Sequence, residues 1–251
     1  MGATVCQAVH DDPELELVAA VDPRYSGLDV LTVTGVDSEL RMSPSPTAFE
    51  RAGAEVVVDF TERSASVGNL RWLAEHRMHA VVGTTGFSDA DLDAIRGQFT
   101  SSNCVIAPNF AIGAVLMIHF AEIAAPYFDS AEIIELHHDQ KVDAPSGTAL
   151  HTAQRMAAAS TDWTADPTTS DVLEGARGAD GPAGIRIHSV RMRGLVAHQE
   201  VLLGTAGQTL SLRHDSYDRT SFMPGVVLAV KRVGERSGVT IGLGALLGLR
   251  S

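Results

Sequence analysis

Short apolar runs alternating with stretches of helical period dominate the first half of this 251-residue chain. Residues 15–21 (LELVAAV), 55–59 (EVVVD), 79–82 (HAVV) and 104–107 (CVIA) are of strand length and nearly free of polar interruptions. Such runs are the pattern of strands buried on both faces. Between them, residues 64–77 and 88–99 carry helical spacing. Thr61 and Ser88 are N-cap candidates, and Asp91 stands where a weak capping-box partner of Ser88 would be. Strands alternating with helices of this length build βα units, a parallel sheet with helices on both faces.

After Asn109 the pattern changes. Residues 111–128 predict one long apolar helix, 133–137 a strand, and 147–159 a further helix after a polar loop. Residues 162–184 are rich in Thr, Asp, Gly and Pro, the composition of a mobile loop. Three alternating runs, 185–192, 198–204 and 209–214, read as antiparallel strands with one wet face. Residues 222–232 are helical again, and 239–247 return to the first domain. The expected fold class is α/β, a parallel-sheet nucleotide domain (1–109 plus 222–251) interrupted by an inserted α+β domain (110–221).

The beginning of the chain departs from that plan. Residues 2–10 read as a helix, with the first strand only after it. In doubly wound folds a central first strand and a glycine-rich phosphate turn precede that helix. Gly2 then corresponds at most to the last glycine of the turn, and the expectation is that about ten residues lie upstream of Met1. A chain without them is expected to hold a dinucleotide weakly or not at all.

Charge and composition narrow the partners. Thirty-one acids against 19 cations give a net charge of −12, which argues against nucleic acid or an anionic membrane surface as the main partner. No apolar run approaches the length of a membrane span, and no basic-then-apolar leader opens the chain, so a cytoplasmic protein is expected. Cys6 and Cys104 make neither a disulfide framework nor a CxxC metal signature, and both read as core thiols; no metal is expected. Only two of the 19 cations are lysines, Lys141 and Lys231. Where arginine has replaced nearly every lysine, one that survives in a polar turn points to a need for a titratable amine.

That turn is the densest polar segment, residues 135–149 (ELHHDQKVDAPSGTA), running from a strand end through a loop into a helix. Pro145 and Ser146 suit a helix start, and Gly147 and Thr148 then present free N–H groups at its positive end. With Lys141, His137 and His138 beside it, this is a site for an anion such as a carboxylate. A histidine pair alone is equally what a surface hairpin carries. Neighbouring residues of a strand point to opposite faces, which disfavours a metal shared by the two. A second constellation lies at the carboxyl ends of the first-domain strands, the edge where open α/β sheets bind ligands. It comprises Asp59, Phe60 and Thr61 after one strand, Gly83, Thr84, Thr85 and Gly86 after the next, and Ala107, Pro108, Asn109 and Phe110 after the third. Gly83 and Gly86 let the backbone approach a flat ring or ribose. Asp22 stands where an acid hydrogen-bonds an adenosine ribose, and Arg24 alternatively suits a 2′-phosphate.

Residues 135–149, with VVGTTGF (81–87), APNFAIG (107–113) and VVVDFT (56–61), closely resemble the dihydrodipicolinate reductase family of bacterial diaminopimelate and lysine synthesis. The 4-hydroxy-tetrahydrodipicolinate reductases, as they are formally called, are matched over essentially the whole chain. Residues 194–205 (GLVAHQEVLLGT) and 213–222 (RHDSYDRTSF) are similar to the actinobacterial branch. The resemblance implies a Rossmann-like nucleotide domain with an inserted substrate and tetramerisation domain. It implies NADH or NADPH as cofactor, a cyclic imine dicarboxylate as substrate, and a homotetramer. It assigns His137 as proton donor and acceptor and Lys141 as proton donor. His138, Ser146, Gly147 and Thr148 become substrate contacts, and Asp22, Gly83–Thr85 and Ala107–Phe110 cofactor contacts. Where the family's usual HHxHK run has a third histidine, this chain has Gln140. The alternative is a truncated, non-catalytic homologue, which the intact His137, Lys141 and Ser146-Gly147-Thr148 disfavour.

Overall fold

The computed structural model describes residues 1–249. Helix α1 (Gly2–Asp11) is followed by the one-turn helices α2 (Val30–Thr34) and α3 (Thr47–Arg51). Next come β1 (Val56–Asp59), α4 (Arg63–Glu75), β2 (His79–Val82), α5 (Asp89–Gln98) and β3 (Cys104–Ile106). The chain continues through α6 (Ile112–Ala124), β4 (Ser130–His137), α7 (Gly147–Ala159), β5 (Ala179–Asp180), β6 (Arg186–Arg191), β7 (Ala197–Thr205) and β8 (Gln208–Ser216). It closes with α8 (Met223–Arg232) and β9 (Val239–Ile241). Two compact units result: Met1–Ile112 with the chain from Arg219 onward, and Gly113–Asp218.

The first unit holds a parallel sheet of order β1-β2-β3-β9. Its strands are Val- and Ile-rich because both faces are covered, as βαβ crossovers require. Helix α4 buries Ser66, Leu70 and Leu73, spaced i, i+4, i+7, on one stripe. Helix α5 begins at the expected capping box: Ser88 Oγ accepts the Asp91 N–H, and the Asp91 carboxylate accepts the Ser88 N–H. Leu70, Leu73, Ile95 and Phe99 close over Ala80, Val82 and Cys104. Burial pushes the Cys104 thiol far up, with the Asp59 carboxylate adding to it, so this sulfur is inert packing. Thr61 does not cap α4. Its hydroxyl donates to Asp59 Oδ1 at 2.7 Å, and the cap position falls to Glu62 without a side-chain bond.

Residues 15–21 do not form the expected strand. Their backbone is tied at one bridge, where the Ser43 N–H and C=O bond Ala20 and Asp22. Among the described strands β1 pairs with β2 alone. The 15–22 segment and residues 54–58 instead line a common cavity of about 780 Å³. A strand needs a neighbouring backbone about 4.8 Å away to receive its N–H and C=O groups. Without such a neighbour beyond the Ser43 bridge, an apolar run forms no strand.

Gly225 in α8 lies against the chain beyond β3: a Cβ there would stand 2.1 Å from the Phe110 carbonyl oxygen. Backbone cannot yield as a flexible side chain does. Gly225→Ala is expected to cost about 1–3 kcal/mol by overpacking. A chemical-unfolding midpoint equal to that of the unchanged chain would contradict this.

In the second unit the sheet order is β5-β6-β4-β7-β8. Strand β7 runs antiparallel to both β4 and β8, so residues 198–204 and 209–214 pair antiparallel as expected. The expectation for residues 185–192 is corrected, because β6 runs parallel to β4. Strand β4 reaches β6 through α7, and a helical crossover returns the chain in the same direction, which a hairpin does not. Helix α7 presents Ala149, Ala153 and Met156 to Ile133, Ile187, Val201 and Leu203 of the sheet. The alanines allow close approach. The long apolar helix expected over 111–128 ends at Ala124 and continues as a 3-10 turn, Ala125–Tyr127, because Pro126 supplies no N–H. The segment 162–184 is tied down rather than free. Asp166 accepts from Arg177 and Arg186, the Thr164 N–H bonds the Asp129 carbonyl, and β5 pairs with β6. No helix among the described residues is long and apolar enough to cross a membrane.

Candidate active site

The site in the second unit is built at the end of β4. Period-two alternation sends Glu135 and His137 to the same face of the sheet, the one that α7 covers. Glu135 is completely buried, yet it is a carboxylate. Four N–H groups converge on it. Arg191, on the neighbouring strand β6, donates Nη1 to Oε2 at 2.9 Å and Nη2 to Oε1 at 2.8 Å. The Ser146 N–H reaches Oε1 at 3.2 Å, and His137 Nδ1 meets Oε2 at 2.5 Å. Burial by itself would raise the Glu135 carboxyl, but hydrogen bonds from Arg191, Ser189 and His137 outweigh it and hold the group below the usual carboxylate range. An ionised carboxylate can only accept, so His137 carries its proton on Nδ1 and leaves Nε2 available. The imidazole is less basic than usual. Burial lowers it, Glu135 opposes that, and the charges of Lys141 and Arg191 lower it further.

Arg191 also pins the loop between β4 and α7. It donates to the carbonyls of Lys141 at 3.3 Å and Asp143 at 2.6 Å. Within that loop Lys141 Nζ is held by both oxygens of Asp143, at 2.7 and 2.8 Å. The ammonium keeps the exposed Asp143 carboxyl below its ordinary value. Ser146 is the N-cap of α7, its Oγ accepting the Ala149 N–H at 3.1 Å. The N–H groups of Gly147 and Thr148 have no partner among the described residues. They stand at the positive end of a thirteen-residue helix, a geometry that attracts carboxylate oxygens.

His137, Lys141, Ser146, Gly147 and Thr148 therefore gather at one end of one sheet. His138, the first residue beyond β4, is exposed, and its carbonyl accepts the Lys141 N–H. Gln140 is exposed as well. Sequence reasoning assigned no part to Glu135, Asp143 or Arg191. Glu135 had a legible signal, an acid on the same period-two face as the inward Ile133. Arg191 had none, lying fifty-odd residues downstream among other arginines.

In the first unit, the second constellation lies at the carboxyl ends of parallel β1, β2 and β3, as expected. Its side chains are largely occupied with one another. The Gly83 face that was expected to receive a flat ring is filled by Phe60, where a Cβ would stand 2.0 Å from the ring. The buried Thr84 hydroxyl donates to the Thr61 carbonyl at 2.9 Å. Ala107 and Phe110 are buried, the latter ring 5.8 Å from that of Phe60, and Asn109 Oδ1 accepts the Ala111 N–H. Thr85 and Pro108 are exposed at the edge. Asp22 Oδ1 accepts the Arg24 N–H and caps a 3-10 turn, Pro23–Tyr25. Gly2, Asp22 and Phe60 line the 780 Å³ cavity. Among the described residues no group of three or more His, Cys, Asp or Glu is placed to hold a metal ion.

Comparison with known proteins agrees with this architecture unit by unit. Residues 1–110 match the N-terminal model of dihydrodipicolinate reductase and residues 113–247 its C-terminal model. The chain is 51% identical over 255 aligned positions to the 4-hydroxy-tetrahydrodipicolinate reductase of Nocardia farcinica, covering 99% of this chain and 95% of that protein. It is 53% identical over 226 positions to the enzyme of the same name from Mycolicibacterium vanbaalenii, covering 88% and 90%. Among solved structures, dipicolinate-bound dihydrodipicolinate reductase from Paenisporosarcina sp. TG-14 superposes with a TM-score of 0.85 at 39% identity, over 97% of this chain and 94% of that one. An amine dehydrogenase from Mycobacterium smegmatis, 14% identical with a TM-score of 0.62, shares the fold over 95% of this chain and 92% of its own. With both family models matched in order along it, the chain belongs to the dihydrodipicolinate reductase family.

Proposed function

We infer that this chain catalyses the NAD(P)H-dependent reduction of 4-hydroxy-tetrahydrodipicolinate to tetrahydrodipicolinate, a cytoplasmic step of diaminopimelate and lysine biosynthesis. The observation that carries the reading beyond family likeness is the end of β4. There a histidine of fixed tautomer and a lysine stand beside an open helix N-terminus. A cyclic imine dicarboxylate needs both features, a carboxylate anchor and a proton carrier. One hydride and one proton enter and one water leaves.

The first unit fits a nicotinamide dinucleotide. Its parallel strands end in loops with Thr85 and Pro108 exposed, and Asp22 offers a carboxylate to a ribose. When bound, the group supplies the hydride. The chain's own residues do the rest. Gly147 and Thr148 receive a ring carboxylate through their N–H groups, with the Thr148 hydroxyl and His138 beside them. Lys141 Nζ carries a proton for the reduced ring, and His137 Nε2 exchanges one with substrate or water.

The test is direct. The purified full chain, given enzymatically generated 4-hydroxy-tetrahydrodipicolinate and nucleotide at concentrations high enough to offset the weak binding expected of it, is expected to oxidise NADH or NADPH only when substrate is present. Substrate-independent oxidation, or none with either nucleotide, defeats the reading.

We also infer a homotetramer joined through the second-unit sheet. The face turned away from α7 carries the half-buried Ile134, Leu136, Val190 and Leu202 among charged residues. A half-apolar sheet face of this kind suits self-association. Light scattering during gel filtration should give four chain masses. A monomer mass at micromolar concentration would remove the assembly.

A further inference from the structure

We propose that Glu135 is the positioning residue of this site, one buried carboxylate that sets the proton-bearing nitrogen of His137 and at the same time anchors the start of α7. The inference rests on the reading of His137 as a proton carrier and adds the group that makes it one.

Stability alone does not account for the arrangement. Pairing the fully buried Glu135 with the largely buried Arg191 gains little over apolar residues of the same volume, because desolvating the charges offsets their attraction. The Glu135 geometry does more than neutralise an arginine. Oε2 is shared between Arg191 Nη1 and His137 Nδ1, and Oε1 between Arg191 Nη2 and the Ser146 N–H. The carboxylate thus joins the end of β4, the β6 arginine and the cap of α7. The His137 ring cannot rotate without losing its 2.5 Å contact. Because the Ser146 N–H is spent on Glu135, the Gly147 and Thr148 N–H groups remain the open ones at the helix start. The charged groups bearing on His137 are Glu135 on its own strand, Arg191 from β6 and Lys141 from the loop, the last paired with Asp143.

The experiment uses the full chain with 15N-labelled histidine, the His137 resonances being assigned with His137→Gln. In the unchanged chain neutral His137 is expected as the Nδ1–H tautomer. An Nε2–H tautomer overturns the proposal, and this measurement needs no variant of Glu135 to fold. In Glu135→Gln, the His137 titration midpoint is expected to fall by about one pH unit or more, since a carboxylate that favoured the imidazolium is gone. The acid-side limb of the rate profile should move with it, and turnover should drop by roughly tenfold or more. A midpoint and limb unchanged in a folded Glu135→Gln overturn the proposal even if turnover falls. The two readings fail separately. A chain without reductase activity whose His137 keeps the Nδ1–H tautomer and shifts in Glu135→Gln retains the positioning role and loses the reaction. A fully active chain with the opposite tautomer retains the reaction and loses Glu135.

Discussion

Lys141→Met is expected to lower reductive turnover by about 10²–10⁴-fold, the usual worth of a positioned proton carrier, while leaving the fold intact. Lys141 sits in the loop between β4 and α7, and among the described residues its ammonium has one ionic partner, the exposed Asp143. Removing it leaves a carboxylate that water can solvate, so the stability change should stay within about 0.5 kcal/mol. Lys141→Arg should not restore activity, because a guanidinium keeps its proton under all working conditions. Steady-state kinetics with thermal melts of both variants makes the comparison. Turnover near that of the unchanged chain in Lys141→Met would remove the residue from the chemistry.

Arg191→Met should have the largest effect on stability, about 3–5 kcal/mol, the cost of leaving a buried charge without its partner. Apart from the titratable His137, the guanidinium is the only ion-pair partner of the Glu135 carboxylate among the described residues, and it also holds loop carbonyls of Lys141 and Asp143. The pH dependence follows from the sign of the shift. With Arg191 present, the folded-state Glu135 carboxyl lies below its unfolded value. Its contribution is therefore full above the ordinary Glu range of about 4.3 and is lost as pH falls through the depressed folded value. His137 acts in the same sense, since its lowered folded-state pKa favours the neutral form and that preference costs stability as acid protonates it. In Arg191→Met burial dominates and Glu135 takes up a proton, so the deficit should narrow as pH drops toward 5. Pairing the change with Glu135→Gln should recover part of the loss. Urea unfolding at neutral and mildly acidic pH measures both. An Arg191→Met deficit under about 1 kcal/mol, the range of an exposed pair, would show that the carboxylate is not held as described.

How much of this was legible from residues varies with how local each cause is. The capping box at Ser88 and Asp91 and the start of α7 at Gly147 depend on neighbours three or four positions away, and both appear where their residues predict. The cap expected at Thr61 does not, because its hydroxyl found Asp59 first. Gly83 was read as a point where a bound ring could approach the backbone, and the ring packed against it is that of Phe60 from the adjacent strand end.

By itself the sequence determined the local elements and the chemistry of the 135–149 segment. Helix caps, the alternation that points Glu135 and His137 to one face, and the motif that names the family all act over a few residues. Tertiary structure decided what depends on distant partners. Residues 15–21 are as apolar as any strand, but beyond the single bridge of Val21 to Ser43 they find no strand among the described residues to pair with. Residues 185–192 alternate as an antiparallel strand would, but the α7 crossover sets them parallel to β4. The buried Glu135 became the centre of the site only when β6 brought Arg191 beside it. A hydrogen bond or an ion pair is a relation between positions, and only the folded chain chooses which positions meet.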